Sequence, residues 1–268
     1  MRYLQNQKGT SFIEVMIALV IMGVITMSIF KAYVTQHKNY MIQEDITDIQ
    51  QSARASIDEI SRNIRMAGYD LPVGLEPIEA YNTNPDTIVL TYSVSNCGTY
   101  LTAAMPQPSK ELKCADVSCF HEGDWVYIYE ADSAIGEWME ITQVQTSNHL
   151  QHNTVVLSRC YGEKSLVLGL TRVKFFVDNT TDPSHPNLMM QLPGQNPQVY
   201  AENISDMQFK YRMKGGQLLD VPDIVENVRD VQIELTGRSN LPVLSGDGEE
   251  TYRERSFATA VYLRNIGI

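Results

Sequence analysis

Apolar residues in the first thirty positions form one nearly continuous run. From Val15 to Phe30 the sequence contains no charged residue, and two further apolar residues extend the run towards the N-terminus. A helix needs about 20 apolar residues to cross the hydrocarbon core of a bilayer, and this run is nearly that long. Arg2 and Lys8 precede the run, and basic residues before a span favour the cytoplasmic side. The pattern predicts a membrane-spanning helix whose leader stays in the cytoplasm.

Downstream of Lys31 the apolar residues recur every three or four positions, which is the spacing of one face of a helix. Gly68 is placed to end this helix, and Pro72 follows. The pattern predicts one helix from about Ser11 to Ala67, about 85 Å long at 1.5 Å per residue. Its apolar stripe consists of Ile42, Ile46, Ile49, Ala53, Ile57, Ile60, Ile64 and Ala67.

The stripe suits two kinds of neighbour, a second helix in a coiled coil or the face of a sheet. The stripe alone does not choose between them, because both need the same apolar spacing. Since a strand-rich segment follows Gly68, we expect the helix to pack on a sheet.

After Gly68 the pattern changes to short segments rich in β-branched and aromatic residues, separated by Gly, Pro, Asn and Asp. Several of these segments alternate apolar with polar residues. We therefore predict an α+β fold, with a long N-terminal helix packed on a mainly antiparallel β-sheet head. The predicted strands are Thr87–Ser95, Asp124–Ala131, Glu137–Gln145, Thr154–Arg159, Thr171–Asp178, Met207–Met213, Val228–Thr236 and Ser256–Arg264.

Two segments of the head repeat the pattern E-N-[IV]-x-D-[MV]-Q-[FI], beginning at Glu202 and at Glu226. Their apolar positions fit a turn that leads into a strand with one buried face, and their polar side chains suit bonds to the turn backbone. We interpret them as two similar structural turns rather than a binding code, and two copies are too few for a solenoid.

The composition and the absence of known motifs argue against several classes of function. The chain has 268 residues and a formal charge of −11, and an acidic protein lacks the basic face that nucleic-acid binding requires. The sequence contains no G-x-S-x-G, P-loop, G-x-G-x-x-G or H-E-x-x-H motif. His149 and His152 have no third ligand nearby in the sequence, so we interpret them as solvated loop residues. We expect no enzymatic activity, no cofactor and no metal site.

Four cysteines, Cys97, Cys114, Cys119 and Cys160, lie downstream of the apolar run. If that run exports the head to an oxidising compartment, their even number favours two disulfides. Four cysteines allow three pairings, and the sequence leaves the choice open. A zinc site is the alternative, because Cys114 and Cys119 enclose four residues, but no second tight pair completes a tetrahedral set.

Glu14 places a carboxylate at the start of the apolar run. A carboxylate at the bilayer centre costs about 2.5–3.5 kcal/mol, and less near the interface, so a partner is expected. Cleavage after Gly9 creates one, the new α-amino group of Thr10, which neutralises a carboxylate where water is scarce. A secretory signal would carry a small-residue cleavage site after Phe30, and none follows. A plain signal anchor leaves Glu14 unexplained.

The segment KGTSFIEVMIALVIMGV resembles the class III signal of type IV pilins and pseudopilins. Lys8 and Gly9 match the end of the leader, and Glu14 is the fifth residue after the cut, whereas Thr10 replaces the phenylalanine usual at the first mature position. The resemblance implies that prepilin peptidase cleaves between Gly9 and Thr10 and that Thr10 is N-methylated. It also implies that the helix bundles in a filament core, where Glu14 attracts the N-terminus of a neighbouring subunit.

The size and sequence of the head make the resemblance to pilins more specific. A head spanning residues 69–268 is large for a major pilin, and the runs AENISDMQFKY, DVQIEL and FATAVYLRN are similar to the PilW group of minor pilins. That group is related to the J-type minor pseudopilin of type II secretion, which is the alternative. The resemblance implies a low-copy subunit near the filament tip that initiates pilus assembly with other minor pilins, the major pilin and the inner-membrane assembly platform. An alternative of a different class is a membrane-anchored periplasmic ligand-binding or enzymatic domain.

The expected organisation has four parts. A prepilin leader (1–9) precedes a transmembrane or filament-core half of the helix (10–31), an amphipathic half (32–68) and a periplasmic head (69–268). The precursor is expected to span the inner membrane once, with its leader in the cytoplasm. The mature subunit is expected in the pilus filament.

Overall fold

The computed structural model describes residues 11–154, 156–244 and 250–266. They fold into one long helix followed by antiparallel strands, which confirms the α+β fold. Residues up to Asp48 form one compact unit, and residues from Ile49 onward form a second. The helix is α1 (Phe12–Met66), and the strands are β1 (Ile78–Tyr81), β2 (Thr87–Tyr100), β3 (Leu112–Lys113), β4 (Trp125–Glu130), β5 (Ile135–Glu140), β6 (Gln143–Gln145), β7 (His149–Gln151), β8 (Leu166–Asp178), β9 (Asn187–Gln191), β10 (Gln198–Ala201), β11 (Ile204–Met213), β12 (Leu218–Leu219), β13 (Val228–Arg238), β14 (Val243–Leu244), β15 (Glu250–Thr251) and β16 (Glu254–Tyr262).

Two large sheets form the framework of the head. Sheet I has the order β1-β2-β8-β4-β5, with β9 paired to β8 and β10 paired to β9. Sheet II has the order β12-β11-β13-β16. Strands β3, β7 and β6 form a smaller sheet, and β14 pairs with β15. A 3₁₀ turn, Val225–Asn227, leads into β13.

The apolar stripe of α1 is buried from Ile49 onward. Ile60 and Ile64 are completely buried, in one hydrophobic core with Phe175 of sheet I and Ile233 of sheet II. Burying each such side chain contributes about 1.5–3 kcal/mol relative to leaving it exposed. The prediction of packing on a sheet, rather than in a coiled coil, is confirmed for this part of the helix.

A polar contact also holds α1 against sheet I. Asn63 is 3% exposed, and its Oδ1 accepts the Tyr92 hydroxyl at 2.5 Å. Its Nδ2 donates to the Glu59 carbonyl at 2.8 Å, so the buried amide is satisfied on both sides. The apolar stripe gives no sign of this contact, because Asn63 lies outside it.

The helix ends where the sequence predicts. Gly68 has φ +85°, a left-handed conformation that favours glycine after a helix, and its N–H donates to the Thr91 carbonyl at 3.0 Å. The Asn265 side chain donates from Nδ2 to the Arg65 carbonyl at 2.9 Å. The last turn of α1 therefore gains a partner from the C-terminal segment for one of its unpaired carbonyls.

Each copy of the repeated pattern is a two-residue lead into a strand, and its last six residues lie inside β11 or β13 rather than in a turn. Its two copies lead into β11 and β13, which pair with each other along most of their length. All six apolar positions are buried, and they are Ile204, Met207, Phe209, Val228, Val231 and Ile233. In the first copy, Asp206 Oδ1 accepts the Gln208 side-chain amide at 2.9 Å.

The predicted strand Thr154–Arg159 is wrong. The described residues of this segment form a turn, an irregular stretch and a bend, and Ser158 N–H donates to the Glu137 side chain at 2.8 Å instead of to a ladder partner. Leu157 is 2% exposed and belongs to a second hydrophobic cluster with residues of β3 to β7, which explains the misleading apolar signal.

Other strands differ in their bounds. The predicted strand Glu137–Gln145 is two strands, β5 in sheet I and β6 in the smaller sheet. The predicted strand Thr87–Ser95 continues to Tyr100 as β2. Strands β1, β9 and β10 were not predicted, because their four or five residues are too few to show alternation.

Asp86 is a buried carboxylate that joins the start of β2 to β11. It is 3% exposed, and its Oδ2 accepts the Phe209 N–H at 2.8 Å. Burial raises the pKa of Asp86 above its usual range. The folded chain therefore binds the Asp86 proton more tightly than the unfolded chain does. The contribution of this protonation to the free energy of unfolding is complete below a pH of about 4 and is lost as the pH rises through the raised pKa.

We expect Asp86→Asn to remove this titration while keeping an acceptor for the Phe209 N–H. The free energy of unfolding of the variant, minus that of the parent chain, should increase as the pH rises from about 4 to 8. Urea denaturation of both chains at a series of pH values measures this difference. Asp132→Asn, at an exposed carboxylate in the turn between β4 and β5, is the control. An equal pH dependence in the control would contradict the role of burial.

Candidate processing and assembly segment

The N-terminal half of α1 exposes a continuous apolar surface. Every residue from Ser11 to Met41 is exposed, and Phe12 and Phe30 are 80% and 66% exposed. Within the described residues, α1 is long and apolar enough to cross a membrane. Exposed apolar surface of this extent marks a site that lipid or protein covers. The segment is therefore a membrane span or a protein interface rather than a solvated helix.

Glu14 lies in the first turn of α1 and bonds to the backbone that precedes the helix. Its Oε2 accepts the Ser11 N–H at 2.9 Å, and the Ser11 carbonyl accepts the Glu14 N–H at 3.0 Å. This is the reach-back half of a capping box, in which a glutamate at the third helical position caps the N-cap residue. The carboxylate also lies at the positive end of the helix dipole. Glu14 therefore stabilises the start of its own helix.

Our sequence interpretation missed this role of Ser11. The spacing S-x-x-E before an apolar run is the known signature of a capping box, and Ser11-Phe12-Ile13-Glu14 has it. The charge of Glu14 alone gives no indication of this local structural role. The carboxylate has two separable properties, its capacity to accept a backbone hydrogen bond and its negative charge.

The hydroxyl groups within the apolar half are satisfied by the helix itself. Thr26 Oγ1 donates to the Met22 carbonyl at 2.8 Å, and Ser28 Oγ donates to the Val24 carbonyl at 2.9 Å. Such bonds to the preceding turn remove the cost of a free hydroxyl in an apolar environment. These two residues are therefore compatible with lipid or with a helix bundle.

The predicted cleavage site, Gly9 and Thr10, lies outside the described residues. The expected pairing of the Thr10 amine with a glutamate, the N-methylation of Thr10 and the cut itself all remain predictions.

The cysteines of the head form one disulfide in the described chain, between Cys97 and Cys119, with Cα atoms 5.7 Å apart. The prediction of two disulfides is wrong, because Cys114 and Cys160 are free thiols. Cys114 is 4% exposed within the second hydrophobic cluster, whereas Cys160 is exposed to solvent. Burial raises the pKa of Cys114 to about 12, which keeps its thiol unreactive.

A thiol-labelling experiment should separate the two free cysteines. In the native protein we expect iodoacetamide to modify Cys160 and to leave Cys114 intact, because the reactive thiolate is scarce at a buried, high-pKa cysteine. Denaturation without reductant should add Cys114, and reduction should then add Cys97 and Cys119. Peptide mass spectrometry at each step gives the count. Native labelling of Cys114 at the rate of Cys160 would contradict the buried position.

The interpretation of both histidines as solvated loop residues is wrong. His149 lies on β7, with Nδ1 2.9 Å from Ser147 Oγ. His152 is 4% exposed, and its Nε2 is 2.9 Å from the Lys110 carbonyl oxygen. Among the described residues, no group of three or more His, Cys, Asp or Glu is arranged to hold a metal ion.

Comparison with known proteins identifies the N-terminal segment. A family model described as the prokaryotic N-terminal methylation motif matches residues 4–30. The match includes Gly9, Thr10 and Glu14 and ends with the uncharged run, and it does not extend into the head. No curated protein matches the chain.

Proposed function

We propose that this chain, which its methylation motif marks as a type IV pilin-like or pseudopilin precursor with a single membrane-anchoring helix, is a minor pilin that helps to initiate assembly of a type IV pilus. The observation that carries the proposal is the fully exposed apolar half of α1 with a carboxylate in its first turn. This apolar surface must be buried. It is buried in the inner membrane before assembly and against the helices of other pilins in the filament.

The physics of the segment supplies a mechanism for ordered assembly. Prepilin peptidase cuts after Gly9 and exposes the amine of Thr10. In the filament, Glu14 of one subunit pairs with the amine of its neighbour. Because a buried, unpaired charge is costly, wrong axial positions are penalised and the correct step is favoured. Electrostatic pairing thus sets the position, while apolar contact along the run from Val15 to Phe30 provides adhesion.

The large head supports a minor rather than a major subunit, and we assign it no enzymatic role. The head faces the periplasm in the precursor and lies at or near the tip of the pilus in the filament. Its similarity to the PilW group supports this position. A J-type pseudopilin of type II secretion is the second candidate, and recovery of the protein in sheared pili distinguishes the two.

The decisive measurement is the mass of the N-terminal peptide from the native host. In cells with prepilin peptidase we expect the mature chain to begin at Thr10, with a methyl group on its amine, and in cells without the peptidase we expect residues 1–9 to remain. A Gly9→Leu chain in peptidase-positive cells is the matched control and should stay uncut. A mature chain that still begins at Met1 in peptidase-positive cells contradicts the pilin proposal and favours a tethered periplasmic domain.

A further inference from the structure

Strand β16 forms one edge of sheet II and, among the described strands, pairs with β13 alone. It is nine residues long and keeps a single register with β13 from Glu254 to Tyr262, without a bulge. The strand at the other edge of this sheet, β12, has two residues, and the outer strands of sheet I have four to six. Strand β16 is therefore the longest edge strand in the described part of the head.

Half of the backbone groups of β16 point away from β13. At one end of the ladder the Leu263 N–H donates to the Arg229 carbonyl at 3.2 Å. At the other end the Ser239 N–H donates to the Arg253 carbonyl at 2.8 Å. Hydrogen-bonded pairs alternate along an antiparallel ladder, so the odd-numbered residues of β16 bond to β13 and the even-numbered residues direct their N–H and C=O groups outward.

The outward-facing residues of β16 are all accessible. Each of the five is exposed, and they are Glu254, Ser256, Ala258, Ala260 and Tyr262. None of them is proline, so each offers both an N–H donor and a C=O acceptor. A further strand can therefore reach this edge along the whole length of β16.

Strand β16 also lacks the features that normally prevent pairing at a sheet edge. Free edges are usually short, bulged, or interrupted by proline or charged side chains. From Ser256 to Tyr262 the strand contains no charged residue, no proline and no glycine, and most of its residues are β-branched or aromatic. An edge of this length and composition favours association with another chain, so we expect a partner to cover it.

Arginine side chains flank both ends of this uncharged stretch. Arg253 and Arg255 precede it, and Arg264 follows it. Arg229 adds a fourth beside the end of the strand, with its Cζ 5.9 Å from the centre of the Tyr262 ring. All four arginines are exposed, and none forms an ion pair with any residue that the structure describes. Their charges are therefore available to a partner.

Carboxylates are fewer along this edge. The exposed ones on β13 and β16 are Glu234 and Glu254, because Asp230 is 2% exposed and lies 3.5 Å from Arg212 Nε. The four arginines outnumber them. The edge is therefore locally positive, although the chain as a whole has a formal charge of −11.

We propose that β16 binds an extended, aspartate- or glutamate-bearing segment of another protein, which adds to sheet II as a further strand. The outward N–H and C=O groups supply the pairing, as in other cases of strand addition to a sheet edge. The arginines select carboxylates. A second copy of this chain is disfavoured, because antiparallel pairing of two β16 strands brings Arg264 of one copy towards Arg253 of the other. The proposal concerns the head alone and holds whether or not the precursor is cleaved.

The test uses the full-length chain in detergent and a labelled synthetic peptide that alternates glutamate with valine and threonine. Fluorescence anisotropy measures its affinity. A peptide of the same sequence with alternate backbone amides N-methylated loses strand pairing, and a peptide with lysine in place of glutamate loses charge complementarity. We expect each to bind at least about tenfold more weakly, which corresponds to about 1.4 kcal/mol.

Variants of the protein locate the peptide. Ala258→Pro removes an outward N–H but no bond to β13, and proline is tolerated at such edge positions. We expect at least about a tenfold loss of affinity. Ala258→Gly keeps the N–H, so it is the matched control and should bind nearly as the parent does.

A second pair of variants tests the charge. Arg255→Gln with Arg264→Gln should weaken binding and reduce its salt dependence. Lys110→Gln with Lys113→Gln, at two exposed basic residues elsewhere in the head, is the control and should bind as the parent does.

Four results would overturn the proposal. These are the absence of saturable binding, equal binding of the N-methylated peptide, equal binding of the lysine peptide, and full binding by an Ala258→Pro chain whose circular dichroism matches the parent. The last result would place the peptide on another part of the head. If Ala258→Pro does not fold, the N-methylated peptide on the parent chain decides the question.

Discussion

Glu14→Gln should enter filaments no better than Glu14→Ala, with both at least about tenfold below the parent chain. Glutamine keeps an acceptor for the Ser11 N–H and so preserves the capping bond that Glu14 makes at 2.9 Å. It removes only the negative charge. If Glu14 acts in assembly through pairing with a neighbour's amine, loss of charge leaves that amine buried and unpaired, which costs about 3–5 kcal/mol.

The measurement is the ratio of each variant in sheared filaments to the same variant in the membrane, by quantitative immunoblot. Cleavage after Gly9, followed in the same samples, shows that the variants are inserted and processed. Parental incorporation of Glu14→Gln with poor incorporation of Glu14→Ala would mean that the cap, and not the charge, matters. Parental incorporation of both would defeat the pairing argument altogether.

Gly68→Ala should lower the free energy of unfolding of the head by about 2–5 kcal/mol. The left-handed conformation at φ +85° costs a non-glycine residue about 1–2 kcal/mol. An added Cβ would also lie 2.8 Å from Ile266 Cγ1 and 2.9 Å from the Asn265 carbonyl oxygen. One of these is backbone, so the C-terminal segment must shift, and overpacking of this kind costs about 1–3 kcal/mol.

Urea denaturation followed by tryptophan fluorescence measures this loss, because both tryptophans, Trp125 and Trp138, lie in the head. Gly215→Ala is the matched control. A Cβ there meets nothing within 4 Å, and Gly215 lies outside the left-handed region. We expect a change of at most about 0.5 kcal/mol. Equal losses in the two variants would show that the conformation of Gly68 carries no special demand.

The long helix and its end were predictable because their determinants are local or strongly periodic. A stripe with three- and four-residue steps over several turns defines one buried face, and residues from Ile49 to Ala67 lie on it. Gly68 ends the helix through its own conformational freedom. The two repeated segments were likewise predictable as entries into strands with one buried face, since each carries its polar and apolar positions within eight residues.

Features set by distant residues were not predictable. The pairing of Cys97 with Cys119, and the burial of Cys114, depend on how β2 and the loops around β3 meet in space. The apolar segment around Leu157 packs as an irregular loop, although its composition is that of a strand. Tertiary context overrides strand propensity in such short segments.

In the N-terminal segment, the charge pattern singled out the Glu14 carboxylate but did not indicate its hydrogen bond to the Ser11 N–H. Glu14 was identified from its position at the start of an apolar run, which is a signal of one residue against many. Its bond to Ser11 is indicated by the spacing S-x-x-E, which the sequence contains.

The hydrogen bond from Asn265 to the last turn of α1 has a consequence for folding during synthesis. The Asn265 amide and the Arg65 carbonyl that it caps are 200 positions apart in the chain. A ribosome delivers Arg65 200 positions before Asn265, so the cap at the end of the helix cannot form until the strands between them have been synthesised. During that interval the apolar stripe that will enter the core has no complete sheet to pack on. Contacts this distant in sequence slow folding and prolong the exposure of apolar surface.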